Sequence, residues 1–175
     1  MIKIIFLDID GVLNSHKWWD YYNENELSKD TKYDFDLDPQ AIASLNSILD
    51  SVPSVKIVIT STWRFDFKDT VERLQAQGLR IPILDRTSVE PRFHEGTYMP
   101  RGVLVKKWLS EHANGETCNY VIFDDDRDFL LDQVYNLIIT DTAIGITQDN
   151  VSKAIGILGR DRGTNCENLL KMQES

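Results

Sequence analysis

A chain of 175 residues supports one well-buried core and is short for two. Its composition, 42% apolar, 10% aromatic and 27% charged, is that of an ordinary soluble protein. With 19 cations against 28 acids the net charge is −9, which argues against non-specific nucleic-acid binding through phosphate neutralisation but leaves room for a local basic pocket.

The chain opens on IKIIFLD (2–8), a short β-branched run of the kind found in strands buried on both faces. No secretory h-region with a small-residue cleavage site is visible at this end, and no stretch approaches the roughly 20 apolar residues of a membrane span. A cytoplasmic protein is expected, as a monomer or homodimer. Asp38 then reads as an N-cap with Pro39 at the first helical position, and Ile42, Leu45, Leu49 and Val52 form one apolar stripe. VKIVIT (55–60) is the second strand. Asp66 to Gln77 reads as a helix turning Phe67, Val71 and Leu74 inward and closed by Gly78. IPIL (81–84) is a third, short strand whose Pro82 places it at a sheet edge.

A helix from about Gly102 to His112 buries Val105, Trp108 and Leu109. NYVIFD (119–124) is the fourth strand, a short helix lies near 128–134, and NLIIT (136–140) is the fifth strand. Thr147 caps a helix that ends at Gly159, and Thr164 with Glu167 forms a capping box for a last one. Cys118 and Cys166 have no CxxC spacing and no nearby His pair, so both read as free thiols. His16, His94 and His112 show no ligand spacing.

Strands alternating with helices imply a doubly wound parallel sheet, an α/β fold in a single domain over 1–175. Two long connections interrupt the rhythm, 14–38 and 85–101, and both are expected over the site. The first carries Trp18, Trp19, Tyr21, Tyr22 and Tyr33 in a polar setting. Those rings either fold back as a satellite core or present stacking faces that govern substrate choice as a small lid.

Ligands of such sheets sit beyond the carboxyl ends of the strands. At those ends stand Asp8-Ile9-Asp10-Gly11, then Ser61-Thr62-Trp63-Arg64, then Asp124-Asp125-Asp126, with Arg101 ahead of the helix before strand four. Each type has a task in phosphoryl transfer. A carboxylate attacks phosphorus, a second carboxyl moves the leaving-group proton, and a hydroxyl and a cation hold phosphoryl oxygens. Oxygen ligands hold Mg²⁺, which relieves the repulsion between two anions. Trp63 reads as core or site, and Arg64 as a surface ion pair or a site residue.

The run ending in DIDGVL resembles the first motif of the haloacid dehalogenase-like (HAD) superfamily of phosphohydrolases. With IVITSTWR, RGVLVKKWL, YVIFDDD and LIITDTAIGIT in order, the chain from residue 3 to about 158 resembles the HAD-type domain of Swiss-Army-knife RNA repair proteins. The resemblance implies a three-layer sandwich with a Rossmann-like sheet of order 5-4-1-2-3 and no large cap domain. It implies a Mg²⁺-dependent phosphatase working through an aspartyl-phosphate. Asp8 would be nucleophile and metal ligand. Asp10 would be general acid/base, with its carbonyl on the metal. Ser61, or Thr60 in the alternative register, would hold a phosphoryl oxygen. Arg101 takes the place of the superfamily's commoner Lys, with Lys106 and Lys107 nearby. Asp124 and Asp125 would complete the metal shell, with Asp128 in reserve. The substrate implied is a nucleotide or a nucleic-acid end; a small phosphorylated metabolite, or a non-catalytic phospho-accepting module, is the alternative.

Overall fold

The structure is a computed structural model, and it describes residues 2–25, 36–89, 99–113 and 118–160. Its centre is a five-stranded parallel sheet: β1 (Ile2–Leu7), β2 (Val55–Ile59), β3 (Ile83–Arg86), β4 (Cys118–Asp124) and β5 (Leu137–Ile139). The order β3-β2-β1-β4-β5 is the one implied by the resemblance. β1 lies in the middle, with Leu7 opposite both Ile59 and Phe123. That register brings the residues just beyond β1, β2 and β4 to one level.

The alternation of β1 explains the layers. Ile5 and Leu7 face one side, where they join Leu45 and Ile48 of α2 (Pro39–Ser51), Leu74 of α3 (Phe67–Ala76) and Ala154 and Leu158 of α5 (Gln148–Leu158). Ile4 and Phe6 face the other side, against Val105 and Trp108 of α4 (Arg101–His112). Phe6 meets Trp108 and Tyr120 edge-on, at 5.5 and 5.8 Å between ring centroids. Burial on both faces is why these strands are almost uniformly apolar.

Local signals set most helix ends. Asp38 accepts from the Gln40 N–H at 2.8 Å with Pro39 behind it, and Thr147 and Asn150 cap α5 reciprocally. Cys118 is buried, whereas Cys166 and the Thr164–Glu167 box lie outside the described residues. Among the described residues no helix is long and apolar enough to cross a membrane.

Three elements differ from the sequence reading. β3 begins at Ile83, two residues late: Ile81 is drawn into the core, and Pro82, without an N–H, contributes its carbonyl to the Ile57 N–H at 2.9 Å. A 3₁₀ turn, Leu131–Gln133, stands where a short helix was expected, and the chain leaves β2 through another, Thr62–Asp66. Within the 14–38 connection a helix forms, α1 (His16–Glu24), capped by the Ser15 hydroxyl on the Trp18 N–H at 3.2 Å. Its Tyr22 is buried and meets Trp19 edge-on at 5.6 Å and Trp18 at 6.4 Å. These rings pack on one another, as a satellite core would, while Tyr21 remains half exposed. Tyr33 lies outside the described residues.

Candidate active site

Asp8 follows the last residue of β1 and is held there by its own N–H, which donates to the Phe123 carbonyl at 2.9 Å. Thr60 occupies the same level after β2, its N–H on the Leu7 carbonyl at 2.9 Å. Asp124 closes β4, and its carbonyl receives the Thr140 N–H at 2.9 Å. The strand ladder thus aligns three side chains from remote parts of the chain.

The Asp8 side chain is buried. Its Oδ2 lies 2.8 Å from Arg101 Nη1, and the same nitrogen lies 2.6 Å from Asp124 Oδ2. One guanidinium therefore bridges two buried carboxylates. Asp125 joins them, so that oxygens of Asp8, Asp124 and Asp125 lie within 4.8 Å of one another. Among the described residues Asp8 Oδ1 is buried without a hydrogen-bond partner. A buried anionic oxygen in that state costs stability unless something electropositive meets it. Three carboxylates with oxygens this close, one of them on a residue with such an oxygen, are the hard-oxygen donor set that a divalent cation takes, so the residues fit a metal.

Electrostatics agree with an unbalanced cluster. Burial pushes the Asp8 carboxyl up, against the pull of Arg101, the Ile9 N–H and the Ser61 hydroxyl. Burial, then the Asp8 charge, pushes Asp124 up to about 7, with Arg101 opposing. A carboxyl raised in the folded state stabilises that state fully below its unfolded value of 3.8 and loses the contribution as pH rises through about 7. In chelator, the stability difference between wild type and Asp124→Asn should therefore move against wild type from pH 4 to pH 7. Denaturant titrations at intervals across that range check it; a pH-independent difference would refute it.

Asp10 is exposed, and its carboxyl is held at both oxygens. The Asn14 amide donates to Oδ1 at 2.8 Å, and the Trp63 indole N–H donates to Oδ2 at 3.0 Å. Gly11 makes the turn between them with φ of 72°, and its N–H donates to Asn14 Oδ1 at 3.1 Å. Asp125 packs against that glycine and accepts from the Thr142 hydroxyl at 2.9 Å.

Of the two hydroxyls after β2, Ser61 accepts the Trp63 N–H at 3.3 Å and acts to lower the Asp8 carboxyl, while Thr60 Oγ1 is buried without a hydrogen-bond partner among the described residues. Arg64 is not a surface residue: it is buried, donating to the Thr60 and Ser61 carbonyls at 3.0 Å each. Its multiple donors suit it to brace a strand-end loop whose carbonyls have left the ladder. Arg101 occupies the cluster, whereas Lys106 pairs at the surface with Asp132 at 3.3 Å. Asp128 caps α4 from a distance, taking the Arg101 N–H on Oδ2 at 3.1 Å and the Gly102 N–H on its carbonyl at 2.9 Å. Gln133 completes that clamp by donating to the Gly102 carbonyl at 2.9 Å. The sequence reading missed Asn14, Thr142 and Gln133. Asn14 alone had a local signal, an amide one helical turn beyond Asp10 in DIDGVLN.

Residues 4–151 match the family model described as the HAD domain in Swiss Army Knife RNA repair proteins. Among solved structures, the HAD domain of effector protein Lem4 from Legionella pneumophila superposes with a TM-score of 0.52 at 16% identity, covering 90% of this chain and 95% of that one. At that identity the likeness speaks to the fold. No curated protein sequence matches significantly. With the family model spanning the sheet, both acidic strand ends and Arg101, the chain belongs to the family of HAD domains found in Swiss Army Knife RNA repair proteins, within the HAD superfamily of phosphohydrolases.

Proposed function

We propose that the protein is a Mg²⁺-dependent phosphomonoester hydrolase in which Asp8 is the nucleophile and Asp10 the general acid/base. The observation that carries this reading is the state of Asp8: buried, anchored through Oδ2 to Arg101, clustered with the carboxylates of Asp124 and Asp125, and with Oδ1 unpartnered among the described residues. Asp8, Asp124 and Asp125, with the Asp10 carbonyl, are the residues that would hold the cation. When bound it neutralises charge between an anionic nucleophile and an anionic phosphate.

The residues divide the chemistry as follows. An Asp8 oxygen attacks phosphorus and an acyl-phosphate bond forms. The ester P–O bond breaks, and its oxygen leaves with the Asp10 proton. Asp10, now a carboxylate, takes a proton from water; the water oxygen attacks phosphorus, the acyl-phosphate P–O bond breaks, and Asp8 and phosphate are restored. Arg101 and the Ser61 hydroxyl hold phosphoryl oxygens throughout.

For the substrate, the family's association with RNA repair favours a nucleotide or polynucleotide phosphate. A net charge of −9 means that such a substrate is taken at its phosphorylated end and not along its backbone. The test is a phosphatase screen of nucleotides, 3′- and 5′-phosphorylated oligonucleotides and sugar phosphates with Mg²⁺, Ca²⁺ or chelator. Activity is expected with Mg²⁺ on the nucleotide class. Ca²⁺ should inhibit, because it takes more ligands at longer distance than Mg²⁺. Full activity in chelator would overturn the metal assignment, and preference for sugar phosphates would overturn the substrate class.

A further inference from the structure

Trp63 is tied down at three points. Its N–H donates to Ser61 Oγ at 3.3 Å, its carbonyl accepts the Thr70 hydroxyl at 2.8 Å, and its indole N–H donates to Asp10 Oδ2 at 3.0 Å. The indole ring is half buried against the core, with the Arg73 guanidinium 5.1 Å from its centroid. Arg73 is fixed in turn by Asp36 at 2.6 Å, and Gln77 holds the other Asp36 oxygen at 2.8 Å. A half-buried aromatic needs no such anchoring to fill space. Here the anchors aim one polar atom, Nε1, at one carboxylate oxygen.

We propose that Trp63 is a positioning residue for Asp10. Asp10 is the one exposed residue of a turn that is otherwise buried from Ile9 to Ser15, and its other carboxyl partner, Asn14, belongs to that same turn. The Trp63 bond crosses from the end of β2 and so ties the carboxyl to the sheet that carries Asp8. Each Asp10 oxygen keeps a second lone pair, so one can carry the transferable proton while the indole sets the carboxyl plane. Such orientation matters because proton transfer to a leaving oxygen falls away once the acid leaves hydrogen-bond reach. The proposal rests on the reading of Asp10 as acid/base given above.

The variant Trp63→Phe keeps an aromatic ring between Arg73 and the core and removes the donor together with the pyrrole half of the indole, a loss of packing that would affect both esters below alike. A p-nitrophenolate departs without a proton, whereas an alkoxide needs one. On p-nitrophenyl phosphate with Mg²⁺, kcat/KM should therefore stay within about twofold of wild type. On an alkyl phosphate such as glycerol phosphate it should fall about 10- to 100-fold, part of the roughly 10²–10⁴ a general acid supplies. Equal loss on both esters, or no loss on the alkyl ester, would overturn the role while leaving the phosphatase reading intact. An independent readout is the indole ¹H–¹⁵N spectrum, in which the Trp63 signal is the one missing from Trp63→Phe. That signal should shift in Asp10→Ala, and an unmoved signal would refute the contact itself. If the signal shifts but wild type hydrolyses no phosphate ester, the phosphatase reading fails and the positioning role falls with it.

Discussion

Replacing Asp8 by Asn should abolish turnover without weakening the metal-free fold. The amide keeps the shape of the side chain but offers a poor nucleophile and one anionic ligand fewer. Loss of a covalent nucleophile costs on the order of 10⁴–10⁶ in kcat. Stability should move the other way. Asp8 and Asp124 are two buried carboxylates sharing one Arg101 nitrogen, and burial already drives both toward the neutral form. Asn at position 8 leaves one anion with one cation and removes the unpartnered buried Oδ1 charge. The melting temperature in chelator should therefore hold or rise. Retention of more than a few per cent of activity would show that another group attacks phosphorus. A large drop in metal-free melting temperature would show that the cluster is built for stability.

Gly11→Ala should damage the site from the opposite direction, by displacing Asp125, a proposed metal ligand, while leaving every side chain of the cluster present. Gly11 has φ of 72°, where an L-residue is strained by about 1–3 kcal/mol. An added Cβ would lie 2.2 Å from Asp125 Oδ2 and 2.9 Å from its Cβ, so the whole side chain must withdraw from Asp8 and Asp124. The expected result is a rise of about 10- to 100-fold in the Mg²⁺ needed for half-maximal activity, the usual cost of disturbing the support of a metal ligand. The measurement is activity against Mg²⁺ concentration, with a denaturant titration alongside. An unchanged Mg²⁺ requirement would remove Asp125 from the metal site.

Strand β1, its neighbours and the carboxylates at their ends were legible in the chain because their signals are local. A run such as IKIIFLD can be buried on both faces, and acids directly after it have to stand at the strand's carboxyl end. Asp38-Pro39 and Thr147 announced their helices for the same reason: a cap bonds within three residues of itself. Helix α1 was harder to see. Its rings Trp18, Trp19, Tyr21 and Tyr22 do stand at helical spacing, but the helix carries no aliphatic side chain and its rings pack on one another, so it lacks the aliphatic stripe that marks the helices of the main core.

Contacts between residues far apart in the chain could be read only after folding. That Arg101 and not Lys106 reaches Asp8 depends on the start of α4, which has no side-chain cap of its own and is held by Asp128, 27 positions away. That the Ser61 hydroxyl takes the Trp63 N–H while Thr60 Oγ1 has no partner among the described residues depends on how the chain turns after leaving β2 into a 3₁₀ turn. Trp63 and Asp10 are 53 positions apart, and no local rule pairs an indole with a carboxylate at that distance. Residue types and their order along the chain specify which chemistry is available. The parallel ladder and the packing of α3 and α4 specify which atoms meet, because distances of about 3 Å between such residues are set by tertiary packing and not by any local preference.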